Sequence, residues 1–172
     1  MTIANNFEEI LLAFNEQKVE YMIAGGYAVI FYGYGRTTGD LDIWVKPTFE
    51  NRAKIMRALE KLGFPSELTN YLGIIKDFSQ PFAIKLGEEP SQVDIFNAIT
   101  GVSYSDAEKN AVRFRFSEKL ECKFIHLHYL ITNKMLTGRL KDKADVEELH
   151  KINIHSKDKS ILAAIKKLSD KK

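Results

Sequence analysis

The chain has 172 residues, 45% of them hydrophobic, enough for one domain with a real core and against wholesale disorder. Its 25 basic and 23 acidic side chains leave a net charge of +2, which gives no general attraction to nucleic acid. The single cysteine, Cys122, excludes an intramolecular disulfide and a cysteine-rich zinc site, and its apolar surroundings suit packing. Asn5 or Asn6 can cap a first helix in which Phe7, Ile10, Leu11 and Phe14 recur at helical spacing. Glu8 and Glu9 come early and no basic leader precedes a long apolar run, so no signal peptide is expected. Residues 19–24 read as a first strand and 27–34 as a helix ended by Gly33 and Gly35. This most apolar stretch, 21–34, is short and broken by glycine, so no membrane span is expected and a cytoplasmic location is.

Residues 41–45 read as a second strand. Pro47 and Thr48 open a helix with Ile55, Met56, Leu59 and Leu62 on one face and Gly63 as its stop. Residues 64–78 show no clean period. Residues 82–86 and 93–98 read as a strand pair across a turn at 87–90, and Ser105 can cap a short helix to Asn110. Residues 112–116 and 123–126 alternate as a late strand pair, with Arg113 and Arg115 on one face. Residues 127–136 and 142–152 are helical, with Gly138 between them, and 159–168 form a last helix. The lysines at 157, 159, 166, 167, 171 and 172 read as a solvated helix end. No Cys or Glu completes a zinc-like spacing around His126, His128, His150 and His155, which read as core or surface residues.

The chemistry concentrates at the front of the chain. Gly25 and Gly26 close an apolar run and lead into a helix, where backbone N–H groups can cradle a phosphate. Asp40 and Asp42, spaced i, i+2 on a strand, project to one side while Leu41, Ile43 and Val45 point to the other. Two adjacent carboxylates repel each other, and a hard divalent cation resolves that cost. A phosphate cradle beside such a pair suggests nucleotide chemistry.

This pattern of Gly-Gly, a spacer and Asp-x-Asp resembles the nucleotidyltransferase superfamily related to DNA polymerase beta. Residues 134–146, which include Lys134, Gly138, Arg139, Lys141, Asp142 and Asp145, resemble the helix pair of its small bacterial members. The similarity spans about 22–149. It implies an α/β (α+β) fold: a mixed nucleotidyltransferase-type sheet flanked by helices, with a short helical C-terminal part. The whole chain, 1–172, would be one domain, with a catalytic core of about 1–118 and a helical part of about 119–172. The resemblance makes Asp94 the third carboxylate and general base beside Asp40 and Asp42, the three holding Mg²⁺ or Mn²⁺. Asp77 and Glu88 are the next candidates for that third position. Gly25, Gly26, Arg36, Thr38 and Lys134 would bind the nucleotide, ATP or another NTP, with Arg36 and Lys134 facing its phosphates. Arg139, Lys141, Asp142 and Asp145 read as structural ion pairs and caps. Many relatives carry Gly-Ser where this chain has Gly26 followed by Tyr27, so backbone amides would replace the serine hydroxyl.

The expected reaction moves an NMP from an NTP to a hydroxyl acceptor with release of pyrophosphate. The acceptor is open: a small molecule, an RNA such as tRNA, or a protein. The alternative is an antitoxin-like or toxin-like interaction module of a toxin–antitoxin or phage-defence system, with any transfer directed at a partner protein or tRNA.

Overall fold

A computed structural model describes residues 5–88 and 90–154. The expected helix at 159–168, the lysine-rich end and His155 lie outside the described residues. The fold is mixed α+β: a six-stranded mixed sheet flanked by helices, with a helical C-terminal part. No described helix is long and apolar enough to cross a membrane.

The first helix, α1 (Asn5–Glu16), buries Phe7, Ile10, Leu11 and Phe14, the face its spacing dictates. Strand β1 (Tyr21–Ile23) is buried throughout. Helix α2 (Gly25–Phe31) begins at the glycines themselves, ahead of the expected start at Tyr27. Strand β2 (Asp40–Val45) leads to α3 (Phe49–Lys61), where the Thr48 side chain accepts from the Asn51 amide, as its place before the helix predicts. Asn51 is fully buried and ties α3 to the chain at Glu20 and Lys46.

The featureless stretch after Gly63 holds a helix, α4 (Ser66–Ile74). Its end is fixed by a distant residue: Arg52 donates to the Ile75 carbonyl at 2.6 Å. Strands β3 (Ala83–Leu86) and β4 (Gln92–Phe96) form the expected antiparallel pair. The cap of α5 (Tyr104–Lys109) is Ser103, not Ser105; its hydroxyl accepts from the Asp106 amide. Strands β5 (Val112–Arg115) and β6 (Glu121–Phe124) pair antiparallel, and Arg113 and Arg115 both reach Glu121, which interrupts the basic stripe. Helices α6 (Leu127–Thr137) and α7 (Leu140–Asn153) meet at Gly138, whose φ of 69° closes α6. The His126 ring accepts from the His128 amide and so caps α6.

The strand order is β3-β4-β2-β1-β6-β5. Register puts Ile84, Ile95, Ile43 and Ile23 in one row across four strands, all buried in the core. Strand β6 lies in the sheet beside β1, so the C-terminal part of the chain contributes to the sheet as well as to the helices. The next row, on the opposite face, runs Lys85, Asp94, Asp42.

Candidate active site

The parallel pairing of β2 with β4 sets Asp42 opposite Asp94 and Asp40 opposite Gln92. Side-chain alternation then turns all three aspartates to one face. One oxygen from each of Asp40, Asp42 and Asp94 lies within 4.8 Å of the others, a separation a single cation can bridge. Neighbours hold two of them in orientation. The Thr38 hydroxyl donates to Asp40 Oδ1 at 2.8 Å, and Gln92 Nε2 donates to Asp94 Oδ1 at 2.6 Å.

Asp42 is the most perturbed. Burial, then the charge of Asp40, outweigh the Gly26 amide that donates to it at 3.3 Å, and its carboxyl is pushed up to about 6. Asp94 adds to that rise and Lys134 opposes it. A carboxylate clustered this way is poorly served by its protein neighbours, and a hard cation fits its donor set.

The glycines serve this arrangement directly. A Cβ on Gly25 would lie 1.7 Å from Asp42 Oδ2, and the residue's φ is +49°. A Cβ on Gly26 would lie 2.3 Å from Thr38 Oγ1 and 3.0 Å from Arg36 Nη2. The turn is thus glycine so that Asp42, Thr38 and Arg36 can close on the backbone. The Gly26 amide, expected to face a phosphate, points to Asp42.

Arg36 and Lys134 line the same cleft, of about 850 Å³, but both are held by buried acids. Arg36 Nε meets Asp145 Oδ1 at 2.8 Å. Lys134, only 4% exposed, reaches Asp142 at 2.9 Å and Asp145 at 2.7 Å. Burial alone would raise Asp142, yet donation from Arg139, Lys134 and Thr137 brings it down to about 2. Asp142 and Asp145 therefore form a buried ion-pair network, the structural part their sequence context suggests. Arg139 shares it through Asp142 but is 73% exposed and, with exposed Lys141, lines the cleft. Asp77 is engaged by Ser79 and Gln80 instead and lies outside the trio, as does exposed Glu88.

Sequence reasoning did not single out the far side of the cleft. Pro81, Phe82 and Phe96 line it, and Lys85 stands opposite Asp94 on β3, its ammonium 4.0 Å from Asp94 Oδ2. Strand alternation puts Lys85 and Asp94 on one face only once the β3–β4 register is known. No protein-family model matches the chain, and no curated protein matches it.

Proposed function

We propose that the protein is a metal-dependent nucleotidyltransferase that moves an NMP from an NTP to a hydroxyl acceptor. The observation that supports this best is the meeting of Asp40, Asp42 and Asp94 on the floor of a cleft with cations on its other wall. Asp40, Asp42 and Asp94 would hold Mg²⁺ or Mn²⁺. Bound there, the metal neutralises charge that develops on the phosphoryl oxygens.

The chain's own groups divide the remaining work. Asp94 takes the proton of the acceptor hydroxyl. The acceptor oxygen bonds to the α-phosphorus, the bond from that phosphorus to the bridging oxygen breaks, and pyrophosphate leaves. Arg139 and Lys141, exposed at the cleft, meet the phosphate oxygens. Arg36 and Lys134, paired with Asp145 and Asp142, hold α2 and the α6–α7 junction in place behind them.

The test pairs binding with transfer. NTP is titrated with and without Mn²⁺, and α-labelled NTP with Mg²⁺ is incubated with cell extract as the source of acceptor. The parent should bind NTP more tightly with metal and label an acceptor; Asp40→Asn and Asp42→Asn should do neither while keeping their circular dichroism. Metal-coupled NTP binding that is unchanged in both variants sinks the proposal.

A further inference from the structure

The two sides of the aspartate trio differ in chemistry. Toward α2 and the α6–α7 junction the cleft is lined by Arg36, Lys134, Arg139 and Lys141. Toward β3 it is lined by Pro81, Phe82 and Phe96, with Lys85 at its edge. Resting on the transferase reading above, we infer that the acceptor is an anionic molecule whose hydroxyl is carried on a flat apolar body, seated on Phe82 and Phe96 with its negative charge toward Lys85.

The shelf is built rather than incidental. Phe82 packs on fully buried Phe78 with ring centroids 4.6 Å apart. Asn97, 3% exposed, holds the segment from three sides. Its side chain accepts from the Phe82 amide at 2.9 Å and donates to the carbonyls of Phe78 at 2.7 Å and Gln80 at 2.9 Å. A cleft wall lined by Phe82 and Phe96 beside the trio suits a flat partner, because aromatic side chains cost little side-chain entropy to use. Phe96 lies two residues beyond Asp94 on the same face of β4, so a ring seated there brings its hydroxyl to the carboxylate.

Charge decides the rest. Apart from the trio, the one acid among the described residues that line the cleft is Asp142, and it is 1% exposed and already accepts from Lys134, Thr137 and Arg139. Among the described lining residues no further carboxylate remains to receive an ammonium group. Lys85 is 68% exposed, and the acid it meets among the described residues, Asp94, is 4.0 Å away, so its ammonium can turn to an anion. A polycationic acceptor would meet repulsion on both sides, and an anion would not.

The test uses probes that share a ring and hydroxyl but differ in charge. The full chain, loaded with Mg²⁺ and a non-hydrolysable ATP analogue, is titrated with fluorescent 6-hydroxy-2-naphthoate. 4-Hydroxyphenylacetate and tyramine then serve as competitors. Hydroxynaphthoate should bind at one site, 4-hydroxyphenylacetate should displace it, and tyramine should not. Lys85→Gln should weaken its binding on the order of tenfold with melting temperature and ATP-analogue affinity unchanged. Phe82→Ser should weaken it as well. Tyramine competing as well as 4-hydroxyphenylacetate, no binding of hydroxynaphthoate, or equal affinity in Lys85→Gln would each overturn the inference. The two readings fail separately: loss of Mg²⁺-coupled nucleotide binding in the parent removes the transferase, whereas intact nucleotide binding without charge discrimination removes only this acceptor.

Discussion

Asp42 carries a proton to higher pH in the folded chain than in the unfolded one, about 6 against 3.8. The folded state therefore binds more protons in that interval. The stability this contributes is present in full below pH 3.8 and is lost as the pH rises through 6, a change of up to about 3 kcal/mol. Without divalent ions, the melting temperature of the parent should fall relative to that of Asp42→Asn as pH rises from about 4 to 7. Under the proposed metal binding Mg²⁺ would displace the proton, so it should stabilise the parent at pH 7.5, do little at pH 5, and leave Asp42→Asn unaffected. An equal Mg²⁺ effect at both pH values would exclude this coupling. Gly25 makes a second residue-scale prediction. Alanine there must adopt a left-handed backbone, at a cost of about 1–2 kcal/mol, and displaces Asp42. Gly25→Ala should melt several degrees lower and lose Mg²⁺-induced stabilisation. Asp40, Asp42 and both glycines were legible in the sequence because strand alternation and chain reversal are local properties. What Gly26 faces was not, since Thr38 and Arg36 reach it only through the folded loop.

At the scale of elements, α6 and α7 are joined through charges that the sequence displays but does not sort. By sequence, Lys134 is expected at the phosphates, and Arg139 and Lys141 as structural ion pairs. The structure buries the first against two aspartates and leaves the others at the cleft. Removing a partner from a buried pair leaves an uncompensated charge, at about 3–5 kcal/mol. Lys134→Ala should therefore lower the melting temperature strongly, and its nucleotide affinity should be inseparable from that loss. Arg139→Ala should melt less far below the parent, because Asp142 keeps Lys134 and Thr137, and weaken NTP binding about tenfold, the scale of one charge-assisted contact. Calorimetry with nucleotide titration separates the two; the opposite pattern would exchange their roles. The same limit explains the elements that pattern alone did not predict. Helix α4 carries Asn70 and Gly73 in a weak period, and Arg52 fixes its end from α3. Ser103 and Ser105 are both able caps, and only the chain direction into α5 chooses between them.

For the whole molecule, the sequence supplied most of the strands and helices, yet strand order was beyond it. Alternation identifies a strand without naming its neighbour, so nothing local says that β6 joins β1 or that β4 joins β2. That order bears on how the chain divides. The Ile125 amide donates to the Ile23 carbonyl at 2.9 Å, and Phe124 pairs with Ile23. A fragment of residues 1–118 would expose one edge of buried β1 and lose Phe124, Ile125, Leu127, Leu130 and Ile131 from the core. It should be insoluble or lack cooperative melting when expressed alone. A soluble fragment with a sharp transition would make the two parts independent.

The register of Asp42 against Asp94 has a kinetic side. The two strands that carry them are joined through α3, α4 and β3, so a large part of the described chain lies between the two carboxylates. Any local opening that lifts β4 from β2 separates the trio before the rest of the core gives way. A ligand bridging the three oxygens is then a clasp on that long excursion, and its grip can be timed. The amides that β4 contributes to its ladder with β2 should exchange with deuterium more slowly while the clasp is closed, and those of distant β5 should keep their pace.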